Sequence, residues 1–192
     1  MRNVYVDTNV LLAAYMPQDA FHESSREVYS RLGVEYMGYT SPLSIVEAAG
    51  VISRRIREFP PELVKGMMGT RLEALSLSER ARLIAYRMLA KEGLNFFHVP
   101  GDVALDLFTL KVSMPTILSH ALAHAVQLGL TAFDAYHYAT AYDLIHLWKT
   151  PLSFFITNDR HFLELKSEIE KDLNLTVASS AEFAALKERN SS

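Results

Sequence analysis

The alternation of short apolar strands with longer helical segments is the feature that most constrains the fold of this chain. Strands are predicted at residues 4–6, 36–40, 95–99, 153–157 and 175–178. Helical segments separate these strands, and no hairpin signal joins any two of them. This pattern is typical of βα units. We therefore predict an α/β fold in which helices flank a central parallel sheet of about five short strands.

The helical segments are recognised by apolar residues at helical spacing and by Ser, Pro and Gly at their ends. A chain of 192 residues is long enough to bury one core, so a single domain is expected over residues 1–187. Residues 188–192 are expected to form a frayed tail. The main predicted helices lie at 21–32, 42–57, 61–75, 78–91, 103–112, 115–128 and 132–148.

Charge and composition exclude several classes of protein. The net charge of −3 gives no overall basic character, so any surface that binds nucleic acid must be local. The absence of cysteine excludes disulfides and thiolate metal sites. There is no leader of basic and then apolar residues, and no run of about 18 apolar residues. We therefore expect a cytoplasmic protein without a membrane span.

Acidic residues follow the strands at corresponding places. Asp7 comes directly after the first strand, and Asp159 follows the fourth. Glu47 lies near the start of the helix after the second strand, and Asp134 lies in the first turn of the helix that opens at Thr131. Strand ends and the starts of the following helices meet at one edge of a parallel sheet. Four carboxylates are therefore expected to converge above that edge.

Each of these acids also has an ordinary structural interpretation. Asp7 is a favoured helix cap, and the spacing from Thr131 to Asp134 is that of a capping box. Asp159 can be a turn residue, and Glu47 can be a solvated helix residue. Four clustered carboxylates would repel one another and raise their pKa values unless a cation relieved them. Oxygen ligands of this kind suit Mg²⁺ or Mn²⁺, the ions of phosphoryl chemistry.

Four segments, taken in order, resemble a PIN domain and are most similar to the VapC-like toxin nucleases of that superfamily. The segments are 7–12, Glu47 in its helix, 134–141 and 156–162. The resemblance implies a parallel α/β fold and a Mg²⁺- or Mn²⁺-dependent endoribonuclease. It implies catalysis and metal binding by Asp7, Glu47, Asp134 and Asp159. The polar residues that it places around these acids are Thr8, Asn9, Thr157 and Asn158.

The resemblance also implies partners: an RNA substrate, a small antitoxin of a VapBC-type pair, and a second copy in a homodimer. The chain departs from a compact toxin in its slightly acidic charge and in extra helices inserted around residues 58–93. An RNA-processing nuclease that is not a toxin, and a non-catalytic scaffold that binds RNA or protein, therefore remain alternatives. An aspartyl-phosphate phosphatase would need a second Asp where this chain has Asn9.

Candidate substrate-binding residues flank two of the acids. Arg54, Arg55 and Arg57 end the helix that carries Glu47. Cations at a helix C-terminus are favourable in themselves, but these arginines can also contact an RNA backbone. His137 lies one helical turn after Asp134 and is a candidate to line the same cleft.

One histidine pair has the spacing of zinc ligands but lacks the rest of that motif. His120 and His124 lie one turn apart on a predicted helix. No Glu stands between them to act as a base, so the zinc-protease pattern is not met. We interpret them as residues of the helix surface or of an interface.

Overall fold

A five-stranded parallel sheet forms the centre of the protein in the computed structural model, whose described residues are 1–60, 63, 75–107 and 110–189. The strands are β1 (Arg2–Val6), β2 (Tyr36–Thr40), β3 (Leu94–Phe96), β4 (Asp102–Leu107), β5 (Leu110–Pro115), β6 (Phe154–Ile156) and β7 (Thr176–Ala178). The order in the central sheet is β3-β2-β1-β6-β7, and every neighbouring pair is parallel. The predicted α/β class and parallel sheet are confirmed.

Helices connect the strands and cover both faces of the sheet. They are α1 (Thr8–Ala13), α2 (His22–Arg31), α3 (Leu43–Arg55), α4 (Leu77–Leu89), α5 (Thr116–Leu128), α6 (Ala132–His146), α7 (Arg160–Glu164), α8 (Lys166–Leu173) and α9 (Ser180–Arg189). A 3₁₀ turn, Ile56–Glu58, follows α3. Local sequence explains several ends: Ser76 forms a capping box with Glu79 at α4, and Gly129 takes a left-handed conformation after α5.

The core lies in two layers, one on each face of the sheet. Successive side chains of a strand point to opposite faces. Val4 and Val6 of β1 therefore pack with α1 to α4 and α9, whereas Tyr5 packs with α5, α6 and α8. All three side chains are fully buried. Coverage of both faces explains why the central strands carry few polar residues.

Helix α4 belongs to the core of the domain, although its segment was predicted as part of an insertion at 58–93. Its Ile84, Ala85 and Met88 are buried and pack in the same cluster as Ile52 of α3. The other helix predicted in this region, at 61–75, lies largely outside the described residues. Among the helices that the structure describes, none combines the length and apolarity that a membrane span requires.

The prediction of a helix at 103–112 is wrong. This segment forms β4 and β5, an antiparallel pair in which Val103 pairs with Met114 and Leu107 pairs with Leu110. The two strands form a sheet of their own and are not among the five strands that were predicted. The sequence alternates apolar residues with small or polar ones on both sides of residues 108–109, which is the period of a strand.

Two glycines bring the segment before β3 close to the segment before β2. Gly93 has a φ of +81°, and a Cβ built on it would lie 2.2 Å from the backbone N of Gly33. Gly93 O also accepts a hydrogen bond from Gly38 N at 2.6 Å. A side chain at residue 93 is therefore incompatible with this backbone contact, which aligns β3 beside β2.

Candidate active site

Asp7 lies at the C-terminal end of β1, where the chain turns into α1. It occupies the N-cap position of α1, but its side chain makes no capping hydrogen bond. Its Oδ2 instead accepts hydrogen bonds from Thr157 Oγ1 at 2.7 Å and from Asn9 Nδ2 at 2.8 Å. The residue is 5% exposed. Capping therefore does not explain Asp7, because its oxygens are oriented by residues from both ends of the chain.

Glu47 is held beside Asp7 by a buried histidine and by the first residue of α1. Its Oε2 lies 2.7 Å from His137 Nε2 and accepts a hydrogen bond from Thr8 Oγ1 at 2.5 Å. The same His137 nitrogen lies 3.8 Å from Asp7 Oδ1. The arrangement brings two of the four predicted acids, one from the end of β1 and one from α3, to a single imidazole ring of α6.

His137 lies behind these carboxylates and not at the surface. Its side chain is 2% exposed, and its Nδ1 lies 2.8 Å from the hydroxyl of Tyr5 and 3.4 Å from that of Ser41. His137 was predicted to line the cleft as a substrate-binding residue, whereas the structure places its ring in the interior, behind the acids. Its contacts make it a residue that positions Glu47 and Asp7.

Burial and neighbouring charges shift the pKa values of Asp7, Glu47 and His137 in opposite directions. Burial is the largest influence on Asp7 and raises its pKa, and nearby Glu47 raises it further, whereas His137 and Thr157 lower it. Burial also opposes ionisation of Glu47, but the hydrogen bond and charge of His137 outweigh it and lower the pKa of Glu47. Burial disfavours the charged form of His137, yet Glu47, Asp7 and Asp134 together raise its pKa. Both shifts favour the charged forms of Glu47 and His137, which are the forms that pair as ions.

Asp134 and Asp159 lie at the starts of α6 and α7, and each takes part in a helix cap. Thr131 Oγ1 caps α6 and donates a hydrogen bond to Asp134 Oδ2 at 2.7 Å. Asp159 Oδ1 accepts a hydrogen bond from the backbone N–H of His161 at 2.7 Å. His161 Nδ1 lies 3.7 Å from Asp134 Oδ2, so one residue links these two acids.

The four acids thus form two pairs, Asp7 with Glu47 and Asp134 with Asp159. Asp134 acts electrostatically on His137, the residue that joins the first pair. In the part of the chain that the structure describes, however, no three His, Asp or Glu side chains are arranged as a ready metal-binding group. The donors are nonetheless carboxylate oxygens, the ligands that Mg²⁺ and Mn²⁺ prefer. A cation would also offset the burial that raises the pKa of Asp7, so donor chemistry and electrostatics fit such an ion.

The predicted supporting polar residues divide into two groups. Thr8, Asn9 and Thr157 each hydrogen-bond one of the acids. Asn158 does not, because its Oδ1 accepts hydrogen bonds from the backbone N and the hydroxyl of Ser180 at 3.0 and 2.8 Å. The Asn158 side chain therefore anchors the start of α9.

The three arginines differ in their surroundings. Arg55 is paired with Glu58, to which its Nε donates at 2.8 Å, so its charge is partly neutralised. Arg54 lines a groove together with Glu47, so it lies on the same side of α3 as that acid. Arg57 is exposed in the 3₁₀ turn beyond α3.

Sequence reasoning did not assign roles to Ser44, Tyr5 or His161, all of which contact the site. Ser44 Oγ lies 2.9 Å from Thr8 Oγ1, and Tyr5 supports His137. Ser44 lies one turn before Glu47 on the same helix, so helical spacing could have predicted that the two side chains share a face. Tyr5 carried no such signal, because its alternation with Val4 and Val6 shows only that it is buried.

The fold and the site define a class of protein: a parallel α/β domain with acidic residues gathered at the C-terminal edge of its sheet. A comparison with protein-family models matches residues 4–168 to the PIN domain. The chain therefore belongs to the PIN domain family, whose members are generally nucleases and typically use divalent metals. Comparisons with curated proteins and with solved structures found no match.

Proposed function

We propose that this protein is a Mg²⁺- or Mn²⁺-dependent endoribonuclease that hydrolyses RNA phosphodiester bonds. One observation carries the proposal: Asp7 is buried at the exit of β1, aimed by Thr157 and Asn9, with Glu47 on the other side of His137. A buried carboxylate beside another carboxylate is unfavourable in an ordinary structural role. Such an arrangement of two carboxylates is favourable where a divalent cation binds to them and the cation in turn binds a phosphodiester.

The residues of the site have distinct roles in this proposal. Asp7, Glu47, Asp134 and Asp159 would hold the ion, which would supply an activated water and neutralise charge at the phosphorus. Thr157 and Asn9 orient Asp7 through the hydrogen bonds to its Oδ2.

His137 and Arg54 contribute in different ways. His137 supplies a positive charge behind Glu47 and Asp7, which limits their mutual repulsion. Arg54, on the exposed side of α3, is placed to contact the RNA backbone.

The biological setting and partners belong to the same proposal. The similarity to VapC-like nucleases favours a cytoplasmic toxin that forms a homodimer and is inhibited by a small antitoxin protein. Helix α4, which packs into the core, is compatible equally with an RNA-processing nuclease that is not a toxin. Detection of a small inhibitory protein encoded beside this one would favour the toxin.

A non-catalytic scaffold is the second candidate. It is favoured by the finding that the described residues contain no preformed group of three metal-binding side chains. The two candidates differ in metal affinity. Titration calorimetry with Mn²⁺ would give a binding isotherm for the nuclease and none for the scaffold.

Cleavage of labelled RNA tests the proposed reaction. The wild type is expected to cleave in Mg²⁺ or Mn²⁺ and to stop in excess EDTA. Asp7→Asn keeps the size of the side chain but removes its charge, and should lower the rate by about 10²- to 10³-fold, the size of effect seen when one electrostatic group of an active site is lost. Equal cleavage by wild type and variant, or cleavage that persists in EDTA, would overturn the proposal.

A further inference from the structure

A groove runs along the exposed side of α3 and ends at the start of α6. Its volume is about 360 Å³, and it is lined by Val46, Glu47, Gly50, Val51, Arg54 and Phe133. Glu47 also belongs to the acidic site, so the groove opens directly beside it. The size is that of a pocket for a small organic group.

Gly50 keeps the floor of this groove open. Among the described residues, a Cβ built on Gly50 would meet only the guanidinium of Arg54, at 3.6 and 4.0 Å. Glycine in the middle of a helix is unfavourable by about 1 kcal/mol relative to alanine. No neighbour in the described part of the chain packs closely enough against Gly50 to require a glycine, so space beside Glu47 is retained at some cost to the helix.

Phe133 and Arg54 give the groove a specific chemical character. Phe133 is 54% exposed, although it directly precedes Asp134 in the first turn of α6. An exposed aromatic ring offers a stacking surface to an unpaired nucleobase. The guanidinium of Arg54 offers paired donors to a phosphate. Apolar walls from Val46 and Val51 complete a site for a planar, partly apolar group linked to an anion.

We propose that this groove binds an unpaired nucleobase next to the scissile phosphodiester, with Phe133 stacked on the base and Arg54 on the adjoining phosphate. A base within a duplex is already stacked and cannot enter, so the base that binds in this groove must be unpaired. This inference rests on the proposed nuclease function and deepens it. The occupant is inferred from three features of the groove: its continuity with Glu47, the exposed ring of Phe133 and the cationic side chain of Arg54.

Binding measurements test the groove separately from catalysis. Fluorescence anisotropy of a labelled single-stranded RNA would be recorded with Asp7→Asn, whose slowed cleavage should leave the RNA intact during the measurement. Adding Phe133→Ala should weaken binding about 10-fold, as expected for the loss of one base–aromatic stack. Adding Phe133→Trp instead should restore affinity. Tyr86→Ala is the matched control, because Tyr86 is exposed to a similar degree on α4, outside the groove.

A second variant fills the groove without touching the ring. Gly50→Leu should preserve the fold, since among the described residues only the flexible end of Arg54 lies within 4 Å of the Cβ position. It should weaken binding of the single strand as much as Phe133→Ala does. Thermal unfolding of both variants shows that the protein remains folded.

The possible outcomes distinguish failure of the groove proposal from failure of the nuclease proposal. Unchanged affinity in both Phe133→Ala and Gly50→Leu, with wild-type cleavage intact, overturns the groove and leaves the proposed function standing. Equal affinity for the single strand and for the same RNA annealed to its complement would overturn the proposal that the bound base is unpaired. If the wild type does not cleave RNA but binding still depends on Phe133, the nuclease proposal fails and the groove remains a nucleobase site.

Discussion

Glu47 Oε2 lies 2.7 Å from Nε2 of His137, a residue 90 positions further along the chain. The ion pair joins α3 to α6 directly under the acidic site. Because His137 is also within 3.8 Å of Asp7, its positive charge lies between two carboxylates. The pair explains how two acids can be held together at this edge of the sheet in the folded protein.

Replacing His137 with asparagine should destabilise the protein. The change leaves Glu47 and Asp7 without their internal cation, and breaking a buried pair in this way costs about 3 kcal/mol. Urea denaturation in EDTA measures the loss of unfolding free energy. The double variant His137→Asn, Glu47→Gln should recover part of the loss, because the unpaired charge is then removed too. The control is His161→Ala, which replaces a half-exposed histidine. Equal stability of wild type and His137→Asn would contradict the role of His137 as the internal cation.

Thr157→Val should reduce RNA cleavage while leaving the fold intact. The hydroxyl of Thr157 donates to Asp7 Oδ2 at 2.7 Å and accepts from Asp159 N at 3.0 Å, so it aligns two of the acids. Loss of a group that orients metal ligands typically lowers activity about 10- to 100-fold. Single-turnover rates would show the decrease. Thr176→Val makes the same chemical change on β7, and a comparable decrease there would argue against a specific role for Thr157.

The pH dependence of stability should change in Asp143→Asn. Burial is the largest influence on Asp143 and raises its pKa above the ordinary value of 3.8, although His120, His124 and His146 lower it. The folded state therefore favours the protonated form, and stability is lost as pH rises from the ordinary pKa through the folded-state pKa. The asparagine variant has no ionisable group at this position. The stability of the variant relative to wild type should thus improve from acidic to neutral pH. If denaturation experiments gave the same difference in unfolding free energy at every pH, the raised pKa of Asp143 would be refuted.

Gly93→Ala should prevent normal folding, whereas Gly129→Ala should be tolerated. Both glycines have positive φ, which costs an L-residue about 1–2 kcal/mol. At Gly93 the added Cβ would lie 2.2 Å from the backbone of Gly33, whereas at Gly129 no atom of the described residues lies within 4 Å. Thermal unfolding of the two variants separates the backbone clash from the conformational cost. A similar melting temperature for both would show that the contact with Gly33 is not essential.

Local sequence was sufficient for the strands of the central sheet, because apolar runs bounded by turn residues carry their own periodicity. It was not sufficient for 102–115, where neighbouring residues permit either a helix or a hairpin. There the pairing of Val103 with Met114 and of Ala104 with Ser113 stabilises the strands, and such pairing depends on residues that are not neighbours in the chain.

The residues of a possible acidic site could be recognised from the sequence, since Asp7 and Asp159 follow strands and Glu47 and Asp134 begin helices. The surroundings of these acids could be known only once the chain was folded. Tertiary structure placed His137 behind two of the acids and turned Asn158 away toward Ser180. Hydrogen bonding and desolvation depend on neighbours in space. The partners that meet here are far apart in the chain, by 90 positions for Glu47 and His137 and by 150 for Asp7 and Thr157.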